Sequence, residues 1–134
     1  METLAKNERA GGLLAWQYRL YPGAHASRTN LLLHAATAPL YLAGTVVLAA
    51  SLLTLRPLGA LAGVGLMAAT MAAQKRGHGT ESVIPSPFRG PGDVLVRLFV
   101  EQWVTFPRYV LSGGFGRAWR AAGAQPAKAG QHLS

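Results

Sequence analysis

The run LLLHAATAPLYLAGTVVLAASLLTLRPLGALAGVGLMAATMAAQ, residues 31–74, decides the fold, because Arg56 is its only formally charged residue. Leu31 to Leu55 is long enough, at about 1.5 Å per residue, to cross a hydrocarbon core of about 30 Å. Arg56-Pro57 is a tight stop, and Pro57 suits the first turn of a following helix, where its missing N–H would be unpaired anyway. Leu58 to Ala73 is a second apolar run, short for a full span. Its Gly59 and Gly63 stand four apart, a spacing that lets two helices approach closely. The expected fold class is all-α: an integral membrane hairpin of two spans with amphipathic interfacial helices.

The rest of the chain agrees with that reading. Half of the residues are hydrophobic and 13% are charged, a charged share about half that of soluble domains. The net charge is +8, and its placement is informative. Lys6, Arg9, Arg19 and Arg28 precede the apolar block, and Lys75, Arg76, Arg89, Arg97 and Arg108 follow it. Basic residues outside a hairpin mark its cytoplasmic ends, so both termini are expected in the cytoplasm, with the chain in a bacterial inner membrane and Arg56 on the far side. There is no zinc-finger, helix-turn-helix or RNP signature, so no nucleic-acid partner is expected. The absence of cysteine excludes disulfides and thiolate metal sites. The polar region before Leu31 is too long for a signal-peptide n-region and a second apolar run follows, so a retained anchor is expected.

Residues 1–30 form an N-terminal interfacial segment carrying Trp16, Tyr18 and Tyr21, with a break expected at Tyr21-Pro22-Gly23. The hairpin occupies 31–76. Residues 77–92, GHGTESVIPSPFRGPG, read as a Gly/Pro loop. Residues 93–119 read as a third, amphipathic helix capped by Asp93, with Arg97, Glu101, Thr105 and Arg108 on one face and Pro107 as a kink, a stripe that suits an interfacial helix or a partly inserted one facing the site. Residues 120–134 lack an apolar period and read as a disordered tail, in which His132 has no role.

His34 lies one turn inside the first span and His78 just past the second. In an antiparallel hairpin those ends share one membrane face, so His25, His34, His78 and Glu81 converge there. Asn30, His34 and Thr37 fall on one helical stripe, as do Gln74, His78 and Glu81 if the second helix runs that far. His25 joins them only if the chain turns before Asn30. A histidine at a membrane interface is ordinarily a hydrogen-bonding group, but ionisable side chains within a span are functional candidates. Three imidazoles and a carboxylate suit Fe(II) or Zn(II).

His25-x4-Asn30-x3-His34-x4-Pro39, preceded by WQYRLY, together with Gln74-x2-Gly77-His78 and a following acid and proline, resembles the 2-hydroxy fatty acid dioxygenase family over about residues 16–115. The resemblance implies a small membrane enzyme that uses Fe(II), with dioxygen as co-substrate, to shorten a 2-hydroxy fatty acid by one carbon. Its fungal member takes part in phytosphingosine breakdown. His25, His34 and His78 match the motif histidines as metal ligands, with Asn30, Gln74 and Glu81 as catalytic candidates. Here the acid comes three residues after the Gly-His pair, without the aromatic of the fungal pattern, and the segment between the motifs is shorter. Arg28, Arg76 and Arg108 are candidates for holding the substrate carboxylate, since a planar guanidinium suits it; headgroup anchoring is the competing role for each. The alternative function is a non-catalytic small subunit or lipid-binding scaffold, assembled with other membrane subunits or with its own copies.

Overall fold

A computed structural model describes residues 9–124. Lys6, His132 and the tail beyond residue 124 lie outside the described residues, as does any expectation placed on them. The described residues are helical, with no strand among them.

Helix α1, Gly12–Ala24, buries Trp16, Gln17 and Tyr21 on one face. It runs through Pro22 and ends two residues after it, later than the expected break. A proline this near the C-terminal end costs the helix one hydrogen bond without stopping the remaining turn. A three-residue turn leads to α2, Arg28–Leu53. This helix starts ahead of the expected Leu31 because the Ser27 hydroxyl accepts from the Asn30 N–H, satisfying a donor that would otherwise be orphaned at the helix start.

Helix α3, Pro57–His78, begins on Pro57. It also takes in Gln74 to His78, so its 22 residues extend about 33 Å, a full span rather than a short one. The Gly/Pro loop therefore starts after His78, not at residue 77. Both α2 and α3 are long and apolar enough to cross a membrane. Their outer faces are exposed and apolar, with Leu40, Val46, Leu52, Leu61 and Val64 among the residues there.

The two helices pack antiparallel along a seam of small and polar residues. On α2 the buried positions include Asn30, His34, Thr37, Tyr41, Gly44 and Ser51, an alternating spacing of three and four that keeps one stripe turned to its neighbour. On α3 the buried positions are Gly63, Thr70, Gln74 and Gly77. A Cβ at Gly63 would lie 2.8 Å from the Gly44 carbonyl oxygen and from the Leu48 nitrogen, and one at Gly59 would collide with the Ser51 hydroxyl. Both glycines are thus at the contact, where their lack of a side chain sets the interhelical distance.

The third apolar segment is a continuous rod: α4, Pro91–Val100, then a π-helical turn at Glu101–Thr105, then α5, Phe106–Leu111. Asp93 acts from inside the first turn, its carboxylate reaching back to the Arg89 N–H at 3.0 Å. The Phe106 N–H bonds to the Glu101 carbonyl five residues back, just before Pro107, whose missing N–H leaves the ordinary ladder interrupted. The extra residue rotates the face that follows. Arg97, Gln102, Thr105, Phe106 and Tyr109 point inward, while Arg108 is exposed and rests on the Tyr18 ring at 4.1 Å. The chain reverses at Gly113, which has a left-handed φ of 84°, and continues as α6, Gly114–Ala124. The expected single helix over 93–119 is therefore two segments. Residues 120–124, expected to be disordered, are helical. Tyr21, Leu31, Ala38, Phe106 and Tyr109 form the apolar core, with Phe115 and Trp119 of α6 packed against it.

Candidate metal centre

Four side chains from four parts of the fold meet at the buried end of the helix pair. His25 sits in the turn after α1, His34 in the second turn of α2, His78 at the last residue of α3 and Glu101 at the start of the π-helical turn. One ligand atom of each lies within 4.8 Å of the others. His34 is fully buried and His25 nearly so. The three imidazole rings stand almost perpendicular to one another, with interplanar angles of 88°, 77° and 84°.

Local geometry fixes which nitrogens face inward. His25 Nδ1 donates to the Tyr21 carbonyl at 2.9 Å, and its ring stacks on Tyr21 at 3.7 Å. His34 Nδ1 donates to the Asn30 carbonyl at 3.0 Å. Because a carbonyl can only accept, both rings in their neutral form present a bare Nε2. Those two Nε2 atoms are 3.2 Å apart, and Glu101 Oε1 lies 3.5 Å from one and 3.3 Å from the other. Three electron-rich atoms at that separation repel unless a proton or a metal ion lies among them. Edges of 3.2–3.5 Å leave room for an ion at ordinary metal–nitrogen and metal–oxygen distances of about 2.0–2.2 Å from all three atoms. Glu101 Oε1 is buried and has no hydrogen-bond partner, an arrangement that costs about 1–3 kcal/mol or more when uncompensated. Burial would push the Glu101 carboxyl up, whereas cationic His25 and His34 opposite it would more than offset that and hold it below the usual carboxylate range, so a positive charge at this place, proton or metal, keeps Glu101 ionised. The residues fit a metal ion, and this His/Glu cluster can hold one.

A second layer of hydrogen bonds holds the four side chains in place. Glu81, expected beside the histidines as ligand or partner, accepts from the Ala26 N–H at 3.1 Å, the Ser27 N–H at 2.9 Å and the Asn30 amide at 3.0 Å. It staples the turn after α3 onto the turn that carries His25. The carboxylate facing the histidines is instead Glu101. Asn30 also donates to the Ala24 carbonyl at 3.2 Å and lies 3.5 Å from His78 Nδ1, so it ties His25, His34 and His78 together from outside. Gln74 donates to Thr37 Oγ1 at 3.0 Å and exchanges two hydrogen bonds with Gln102, at 2.9 and 2.8 Å. Its amide braces α3 against α2 and the π-helical turn.

The arginines also fall differently from expectation. Arg28 donates twice to the Trp119 carbonyl, at 3.1 and 3.0 Å, and so pins α6. Arg76 is exposed and Arg108 covers Tyr18. None of the three lines the cavity that opens onto the cluster, but Arg97 does. Glu101 and Arg97 lie on the polar stripe that suits a helix facing the site, but the motif spacing does not single them out as site residues. Their signal was present: ionisable groups four apart on an otherwise apolar helix are functional candidates. The π-helical turn that aims Glu101 is a further mark of function.

Comparison with known protein families, with curated proteins and with solved structures finds no match. The class is thus set by the molecule itself: an all-helical chain with two helices long and apolar enough to cross a membrane and a buried centre of three histidines and a glutamate.

Proposed function

We propose that this chain is an integral membrane, Fe(II)-dependent dioxygenase that shortens a 2-hydroxy fatty acid, or a related lipid, by one carbon. The observation that carries the reading is the convergence of His25 Nε2, His34 Nε2 and Glu101 Oε1 at 3.2–3.5 Å, with both Nδ1 atoms turned outward onto carbonyls. Histidines with one carboxylate are the ligand set of non-haem iron oxygenases. Iron held there supplies redox chemistry with dioxygen and Lewis acidity toward an adjacent hydroxyl. An ionised Glu101 would neutralise part of a bound ion's charge and leave a net positive centre for an anionic substrate. Tyr21, stacked on His25, and Phe106, beside His34 at 6.0 Å, shield the imidazoles from water.

The reaction closes without a further cofactor: R–CH(OH)–COOH + O2 gives R–COOH + CO2 + H2O. The C1–C2 bond breaks. The two carbons together lose four electrons, the number that reduces dioxygen fully, so no external reductant is required. An apolar substrate also explains a metal centre built at the end of two apolar helices, since the acyl chain can remain in the bilayer. Iron-loaded protein in mild detergent is expected to consume dioxygen and release CO2 in equal amounts when given 2-hydroxypalmitic acid. The fatty acid recovered should be one carbon shorter. No uptake with any 2-hydroxy acid across a range of chain lengths, in protein carrying full iron, would refute the activity; stable co-purification with other subunits would then favour the non-catalytic scaffold.

The proposed topology places both termini and the metal centre in the cytoplasm of a bacterium, with the α2–α3 turn outside. Cysteines introduced singly at Arg56 and at Arg19 should react with an impermeant maleimide from opposite faces of the inner membrane. Labelling of both from one face would remove the hairpin as a membrane-spanning unit.

A further inference from the structure

We infer that Arg97 is the anchor for the substrate's carboxylate, an assignment that rests on the proposed lipid hydroxy-acid chemistry and specifies how the head group is held. The cavity at the cluster measures about 70 Å³ and has His25, His78 and Glu101 on one side, Leu20 and Tyr21 beside them, and Arg97 in its wall. That volume has room for a hydroxyl and a carboxylate. Arg97 and Glu101 are one helical turn apart, so their side chains are neighbours.

Two carboxylates stand near the guanidinium groups here: Asp93 pairs with Arg9 at 2.6 Å and with Arg97 at 3.6 Å, and Glu101, one turn further on, also acts on Arg97. Arg97 is only 7% exposed. Its two terminal nitrogens donate to the Pro87 and Ser86 carbonyls at 3.0 and 3.1 Å, which fixes the plane of the group. Trp16 and Phe88 lie against it at 4.9 and 4.3 Å. The Arg97 Nε–H is buried with no acceptor, and so is the Arg9 Nε–H. A rigidly held guanidinium with an orphaned donor in a cavity wall lacks an acceptor. A carboxylate supplies one, and charge-assisted bonds of this kind are the strong ones. In a 2-hydroxy acid the hydroxyl is on the adjacent carbon, so anchoring the carboxylate at Arg97 presents that carbon toward the Glu101 side of the cavity.

The test is equilibrium binding to the iron-loaded protein without dioxygen, using 2-hydroxypalmitic acid and the matching 1,2-diol, in which CH2OH replaces the carboxylate. Wild-type protein is expected to prefer the acid at least about tenfold, in keeping with a charged hydrogen bond. Arg97→Gln should lower the ratio several-fold, toward the preference that the iron's own charge supplies, and Arg97→Lys, which keeps charge but not the fork, should lower it less. Arg76→Gln and Arg108→Gln should leave it unchanged. Iron content reports whether each variant keeps its site. If Arg97→Gln loses iron, the Lys variant decides, and an undiminished preference there overturns the assignment. No preference in the wild type, an intact preference in an iron-replete Arg97→Gln protein, or displacement of the acid by an equal concentration of phosphatidylglycerol would each overturn it as well, the last by giving the site to a phospholipid headgroup. Because no turnover is required, acid preference without oxygen uptake keeps the anchor and removes the dioxygenase, and uptake without acid preference does the reverse.

Discussion

Glu101→Gln protein is expected to purify without iron, whereas Glu81→Gln protein retains it with an affinity lower by about 10–100-fold, the usual effect of losing an outer hydrogen-bond partner of a metal ligand. The amide at position 101 removes the one negative charge that faces His25 and His34 Nε2. An uncharged oxygen cannot replace it in a site this buried. Glu81 instead receives three N–H donors from Ala26, Ser27 and Asn30, so its loss loosens the turn that presents His25 without removing a donor atom to the ion. His34→Ala should match Glu101→Gln, and His132→Ala should match wild type. The measurement is iron per mole of folded protein after purification. Iron retained in the Glu101→Gln protein but absent from the Glu81→Gln protein would reverse the two roles and restore the assignment that the motif spacing suggests.

That reversal between Glu81 and Glu101 shows what a sequence can carry. The long helices are legible because their information is local: an apolar run, a single charge at Arg56 and a proline at the restart. Asn30, His34 and Thr37 share a stripe by helical geometry alone, and that stripe is buried in the seam. The convergence of His25, His34 and His78 follows once two antiparallel helices are accepted. The fourth member of the cluster is less legible, because Glu101 reaches it from a separate rod. Its direction depends on a π-helical turn that no 3.6-residue periodicity encodes. Spacing along the chain favours Glu81, three residues from His78, but proximity in sequence is not proximity of side-chain atoms. The Arg28 case has the same cause. Its position at the start of α2 suggests the membrane face, yet α6 folds back and supplies the Trp119 carbonyl, a partner 91 residues away. Helix limits are off where a side chain sets them: Ser27 starts α2 early, and Gly77 continues α3 because a residue with no side chain fits against Asn30.

The helix seam gives the second large effect, expected in stability rather than metal affinity. Gly63→Ala should destabilise the protein by about 1–3 kcal/mol, the range for overpacking, although alanine is the better helix former by about 1 kcal/mol. A Cβ there would approach the Gly44 oxygen and Leu48 nitrogen at 2.8 Å and the Leu48 Cα at 3.0 Å. These are backbone atoms, so no rotamer change can relieve the contact and α2 and α3 must separate. Gly65→Ala is the internal control, since a Cβ at that position meets nothing within 4 Å. Only the propensity gain remains there, and the variant should be unchanged or stabilised by up to about 1 kcal/mol. Unfolding of the two variants in mixed micelles of increasing denaturing-detergent fraction, followed by circular dichroism, separates them. Equal midpoints would mean that the glycines reflect composition and that the α2–α3 contact is not set by them. A midpoint lowered only in Gly63→Ala would instead tie stability to this one close approach of the two helices that carry His34 and His78.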